Sequence, residues 1–185
     1  MRCCHWKNLL LIFILLFCFA LSAAAGEVRG RVSWVYDGDT VKVEGVGKVR
    51  LIGIDTPEKK ASDRDKNFRR AGIAHEQLRS GAKRATDYLI RNAKGKIVTL
   101  TFDRIKTDRH GRTLAYLTLP DGRMLNRELL REGLACVYRR FDFRWRDDFM
   151  QAEAAAQSAG RGLWAQNKVC AMRCGVRGCD GKRVL

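Results

Sequence analysis

Five short runs of β-branched and apolar residues, each cut off by glycine, proline or an acidic turn, constrain this chain more than any other feature. Val28–Tyr36, Thr40–Val43 and Val49–Ile54 come first, and Pro57 ends the third because it cannot donate to a central ladder. Val28, Val32 and Val35 fit a regular strand imperfectly, so the first run reads as curved. Lys59–Arg70 then reads as a charged loop with few apolar residues. A helix is predicted from Ala71 to Asn92, because Ala74, Leu78, Ala82, Ala85 and Leu89 recur at helical spacing before Gly95. Lys96–Phe102 and Arg112–Leu119 complete the strands, the last closed by the Pro120–Gly122 turn. Asn126–Gly133 reads as a short helix capped by Asn126 and stopped by Gly133. Leu134–Phe141 follows as a short edge strand, and Trp145–Gly162 as a final helix with Trp145, Phe149, Ala152 and Ala156 on one side. Five strands and about three helices in one domain give an α+β class that is mainly β, with the strands in a closed or partly open barrel.

The ends of the chain differ from this middle. Arg2, His5 and Lys7 precede an apolar run, Leu9–Leu21, and small residues Ala23 and Ala25 follow. Residues 1–25 therefore read as a secretory signal peptide cut after Ala25, against the alternative of an uncleaved anchor. The expected organisation is a leader at 1–25, a domain at 26–165 and a cysteine-containing tail at 166–185. This predicts a secreted or periplasmic protein without stable membrane association, and a monomer.

Charge and cysteines narrow the partners. The chain carries +16, and loss of Arg2 and Lys7 with the leader leaves +14. Such an excess points to a polyanion, nucleic acid above all, although an anionic membrane or acidic polysaccharide would suit it equally. Cys136, Cys170, Cys174 and Cys179 remain after cleavage. An even number in an exported chain favours disulfides over zinc, whose usual paired spacing is missing.

Two acid-bearing turns stand at strand ends. Asp37-Gly38-Asp39 separates the first two strands, and Asp55-Thr56-Pro57-Glu58 follows the third. Asp-Gly is a hairpin signal in its own right, because glycine tolerates positive φ. Taken together, the two turns also hold the oxygen donors of a hard-cation site. Arg50 lies five residues before Asp55, so in a regular strand the two would face opposite ways unless the strand bends or bulges. Pro57 restricts the backbone before Glu58. A third segment, Asp108–Tyr116, crowds Arg109, His110 and Arg112 into a turn, and arginine forks suit phosphate.

"DGDTV", "RLIGIDTPE" and "DRHGRTLAY", in this order and spacing, resemble the staphylococcal nuclease family, and "GRMLNRELLREGLA" continues the likeness. It runs from about Val32 to Trp164. The resemblance implies an OB-fold barrel of five strands with three helices. It implies Ca²⁺ held by Asp39, Asp55 and the backbone oxygen of Thr56, with Asp37 orienting the ion's waters. It implies Glu58 as general base, Arg50 and Arg112 on the scissile phosphate, and DNA and RNA as substrates cut to leave 3′-phosphates. Arg109, His110 and Tyr138 become candidate substrate contacts. The chain departs from the family in carrying His110 where a tyrosine is usual, and in the phase of Tyr138 and Phe141. The competing expectations are a barrel that binds nucleic acid without cutting it, and a cationic surface-binding protein. The latter leaves the acidic turns unexplained.

Overall fold

A computed structural model describes residues 27–165. The leader expected at 1–25 and the tail with Cys170, Cys174 and Cys179 lie outside the described residues. Strands β1 (Val28–Val35), β2 (Thr40–Val43), β3 (Gly47–Leu51), β5 (Ile97–Thr101) and β6 (Thr113–Thr118) close into a barrel in the order β1-β2-β3-β6-β5. Neighbours are antiparallel except β3 and β6, which run parallel. A separate pair, β4 (Ile54–Asp55) and β7 (Cys136–Val137), lies antiparallel outside the barrel.

The imperfect pattern of the first strand has a cause. Val32 pairs with Val43 but Trp34 with Lys42, so β1 carries a bulge that turns both Val32 and Val35 inward. Barrel residues such as Val41, Val49, Leu100 and Leu117 are completely buried. The helices are α1 (Asp65–Arg70), α2 (His75–Asn92), α3 (Leu125–Arg131) and α4 (Arg146–Ser158), followed by a 3-10 turn at Gly162–Trp164. Leu78, Ala82, Ala85 and Leu89 form the buried face of α2, as their spacing predicts.

Three local expectations are corrected. The charged segment Lys59–Arg70 contains the short helix α1, whose Phe68 is buried and whose Asp65 accepts a 2.6 Å hydrogen bond from Arg79 Nη2 on α2. The long helix begins at His75 instead of Ala71, because Ala71–Ala74 form the connection from α1. Asn126 does not cap α3, for which Met124 is the N-cap residue. Asn126 is fully buried; its Oδ1 accepts from the Leu117 amide at 3.0 Å and its Nδ2 donates to the Ile52 carbonyl at 2.9 Å. It ties α3 to the barrel and to the segment between β3 and β4.

Candidate active site

The two acidic turns meet at one end of the barrel. Asp39 closes the β1–β2 connection, and Thr40 stands opposite Arg50 in the β2–β3 ladder. Asp39 is 1% exposed, and both its oxygens are engaged. Its Oδ1 accepts from Thr40 Oγ1 at 3.0 Å and pairs with Arg50 Nη1. Its Oδ2 accepts from the Thr56 amide at 3.1 Å and from Thr56 Oγ1 at 2.9 Å. Asp37 Oδ1 accepts from the Asp39 amide at 3.1 Å, which folds the turn back on itself.

Gly38 is required here for closeness, because its φ is not among the positive ones. A Cβ at Gly38 would lie 2.6 Å from the Ala85 Cβ and 2.8 Å from Thr56 Oγ1. The glycine thus lets the acidic turn press against α2 and the second acidic segment.

Arg50 and Asp55 do not face opposite ways. After β3 the chain turns at Gly53, whose φ is +79°, before resuming as β4. That turn breaks the strand alternation, and Arg50 Nη2 reaches Asp55 Oδ1 at 2.7 Å and the Ile54 carbonyl at 3.2 Å. Phe143 packs beside the turn, where a Cβ on Gly53 would fall 2.7 Å from its Cε2. One buried guanidinium therefore bridges Asp39 and Asp55.

The electrostatics are crowded. Burial and the neighbouring Asp39 charge push Asp37 up to about 6. Burial also pushes Asp55 above the usual carboxylate range, against the pull of Arg50. Burial opposes ionisation of Asp39 too, but Arg50 and the hydrogen bonds from Thr56 hold it below its ordinary value. Arg50 is desolvated, yet Asp39 and Asp55 keep it firmly protonated.

Among the described residues, no three His, Cys, Asp or Glu side chains converge tightly enough to hold an ion by themselves. The donor chemistry nevertheless fits a hard cation. Asp37, Asp39 and Asp55 are oxygen donors, and the Asp39 charge raises both of the others, a repulsion that an added positive charge would relieve.

Glu58 is one-third exposed and accepts a hydrogen bond from Arg64 Nη1. Arg64 also stands 3.9 Å from Asp55 Oδ1, so it spans the two acids. Nothing in the spacing of Lys59–Arg70 distinguishes Arg64 from its charged neighbours, and sequence reasoning missed it. Arg50 and Arg64 open into a cleft of about 360 Å³, together with Arg109, His110, Arg112, Tyr138, Arg140 and Phe141. Arg50 and Arg112 therefore line one cleft.

Asp108 builds the far wall. Its Oδ1 accepts from the His110 and Arg112 amides at 2.9 and 3.0 Å, and its Oδ2 accepts from Arg112 Nε at 2.7 Å. These bonds outweigh burial and hold Asp108 below the usual range. Because Asp108 takes only Nε, the terminal nitrogens of Arg112 stay available to an anion. Arg109 Nε donates to His110 Nε2 at 3.1 Å, which joins the two exposed candidates of this turn. Tyr138 and Phe141, out of phase in sequence, both reach the cleft, with ring centroids 5.3 Å apart. Phe141 continues through Phe143 to Phe149 in the core, at centroid separations of 6.0 and 5.5 Å.

Cys136 sits in β7, buried, and is a free thiol among the described residues. The expected disulfide partners fall outside them.

The family profile described as "Staphylococcal nuclease homologue" matches residues 48–166 of the chain. The chain belongs to the staphylococcal nuclease family. A protein named "Uncharacterized endonuclease" from Escherichia coli is 32% identical over 155 residues, covering 82% of this chain and 87% of that one. The "Thermonuclease" of Staphylococcus hyicus is 32% identical over 145 residues, 76% of this chain and 78% of its own. That of Staphylococcus intermedius is also 32% identical over 145 residues, 75% of this chain and 79% of its own. The closed five-stranded barrel with helices is the OB-fold architecture expected of this family.

Proposed function

We propose that this protein is an exported, Ca²⁺-dependent endonuclease that hydrolyses phosphodiester bonds of DNA and RNA and leaves 3′-phosphates. The observation that carries the reading is the buried Asp39–Arg50–Asp55 cluster, whose Arg50 lines an arginine-rich cleft and whose Asp55 is joined to Glu58 through Arg64. The names of the related endonuclease and thermonucleases support the same activity. Asp39, Asp55 and the Thr56 backbone oxygen would hold the cation, and Asp37 would orient its waters. When bound, the cation supplies Lewis-acid stabilisation of charge on the phosphoryl oxygens.

The protein's own groups do the rest. Arg50 and Arg112 hold the scissile phosphate and balance the negative charge that grows in the transition state. Glu58 takes a proton from the water that attacks phosphorus. The bond to the 5′-oxygen breaks, that oxygen takes a proton from solvent, and the phosphate stays on the 3′-oxygen. Arg109, His110 and Tyr138 contact the nucleotide from the cleft wall. The leader directs the chain to the periplasm or outside the cell, where it acts as a monomer.

Incubation of the purified protein with single-stranded DNA and RNA, in Ca²⁺, in Mg²⁺ and in chelator, tests this. The reading expects cleavage with Ca²⁺, none with chelator, and 3′-phosphate ends on the products. Tight binding without cleavage in every ion would make it a non-catalytic nucleic-acid-binding barrel.

A further inference from the structure

We propose that a second recess, next to the arginine cleft, receives the nucleobase on the other side of the scissile bond, so that the protein reads a base on each side of its cut. The inference rests on the nuclease reading above and extends it to substrate selection.

The recess encloses about 220 Å³ between α1 and β7. Phe68 and Val137 give it apolar walls, and Asn67, Arg70, Tyr138 and Arg140 give it polar ones. Two of these, Tyr138 and Arg140, also line the arginine cleft, so the hollows share a partition. Asp55 opens on the recess, while Arg50, bonded to it at 2.7 Å, opens on the cleft. A phosphate held at Arg50 therefore has both hollows close by. A strand bound there has one nucleoside on either side of that phosphate.

The chemistry of the recess suits a base. The apolar lining and the half-buried Tyr138 ring favour a heteroaromatic ring, and aromatic contact of this kind is tolerant of sequence. The Asn67 amide offers both a donor and an acceptor, which can read a base edge. Arg70 and Arg140 add donors and positive charge that complement the strand. The walls are held from behind by buried acids. Asp65 pins α1 to Arg79 at 2.6 Å, and Glu153 on α4 accepts from the Val137 amide at 2.9 Å. A larger hollow of about 660 Å³ around Asp103 and Arg144 shares no residue with the cleft and mixes acids with its arginines, which suits an anionic strand less well.

The test uses single-stranded DNA pentamers with one ordinary phosphodiester, the other linkages being uncharged methylphosphonates, and an abasic site on one side of that bond or the other. The lone anionic phosphate fixes the register at Arg50. Cleavage is followed with Ca²⁺, and binding of the same pentamers is followed by fluorescence anisotropy in chelator. For the unaltered protein, an abasic site on either side should raise KM and weaken binding about tenfold, the lower end of what one stacked base contributes. Asn67 is half-buried and Arg70 exposed, so N67A/R70A should fold. That variant should bind the intact pentamer about tenfold more weakly. It should become indifferent to the abasic site on one side and remain sensitive on the other. Indifference of the unaltered protein to one of the two abasic sites would overturn the recess while leaving the nuclease reading intact. So would full two-sided sensitivity in the variant. Base-dependent binding on both sides without any cleavage would keep the recess and overturn the nuclease reading.

Discussion

Asp39 is charged although almost no solvent reaches it, because Arg50, Thr40 and Thr56 satisfy both of its oxygens. Asp37 stands worse, since its partners do not cover the cost of burial beside a second carboxylate. A carboxyl held at about 6 in the fold, against 3.8 unfolded, binds more protons folded than unfolded between those values. Stability from this group is complete below the unfolded value and is lost as pH rises through about 6. In chelator, Asp37→Asn should therefore be more stable than the unaltered protein at pH 7, by about 3 kcal/mol. The advantage should disappear at pH 3.5. Thermal melts at the two pH values check this, and equal melting temperatures at pH 7 would refute the crowding argument. Residues of this kind were legible because acids flanking a glycine stand out in a basic chain. Arg64 was not legible, since its partners Glu58 and Asp55 become neighbours only after α1 folds back. Asn126 was misread for a related reason. An asparagine before a helical run reads as a cap by local chemistry, yet its partners are Leu117 and Ile52, nine and 74 residues away.

At the level of elements, the site depends on the turn between β3 and β4. Simple alternation puts Arg50 and Asp55 on opposite faces, and Gly53 brings them together. Gly53→Ala should cost stability in two ways, by the left-handed backbone and by collision with Phe143. The backbone part alone is about 1–2 kcal/mol. Relief of that strain by rotating the turn would separate Arg50 from Asp55, so activity should fall by at least tenfold even where the variant is fully folded. Parallel measurement of urea unfolding and kcat checks both, and a variant that is less stable but fully active would contradict the positioning role. The barrel strands were legible from their alternation and β-branched content. The bulge in β1 showed only as an imperfect pattern, because a bulge is defined by its partner strand. Helix α1 carried too few apolar residues for a periodic signal, and its hold comes from Phe68 and from the Asp65–Arg79 contact.

For the whole molecule, part of the positive charge is gathered in one place. Arg50, Arg64, Arg109, Arg112 and Arg140 line one cleft, next to a cluster that concentrates the minority acids. No described helix is long and apolar enough to cross a membrane. Binding of single-stranded DNA in chelator should weaken as salt rises, with a log–log slope of about −0.7 for each phosphate neutralised. Alanine at Arg109 or Arg140 should flatten that slope by roughly one such step, whereas alanine at exposed Arg29, outside the cleft, should leave it unchanged. Equal slopes in all the variants would mean that the strand binds elsewhere.

In the proposed reaction Glu58 takes the proton of the attacking water beside the Asp39–Arg50–Asp55 cluster. The most direct measurement is kcat for single-stranded DNA at saturating Ca²⁺, Glu58→Gln against the unaltered protein, with melting curves of both. Glutamine keeps an oxygen for Arg64 and cannot take up the proton. We predict a fall of about 10²–10⁴ in kcat, with the melting temperature changed little at this partly exposed position. A variant that cuts at the normal rate would contradict the claim.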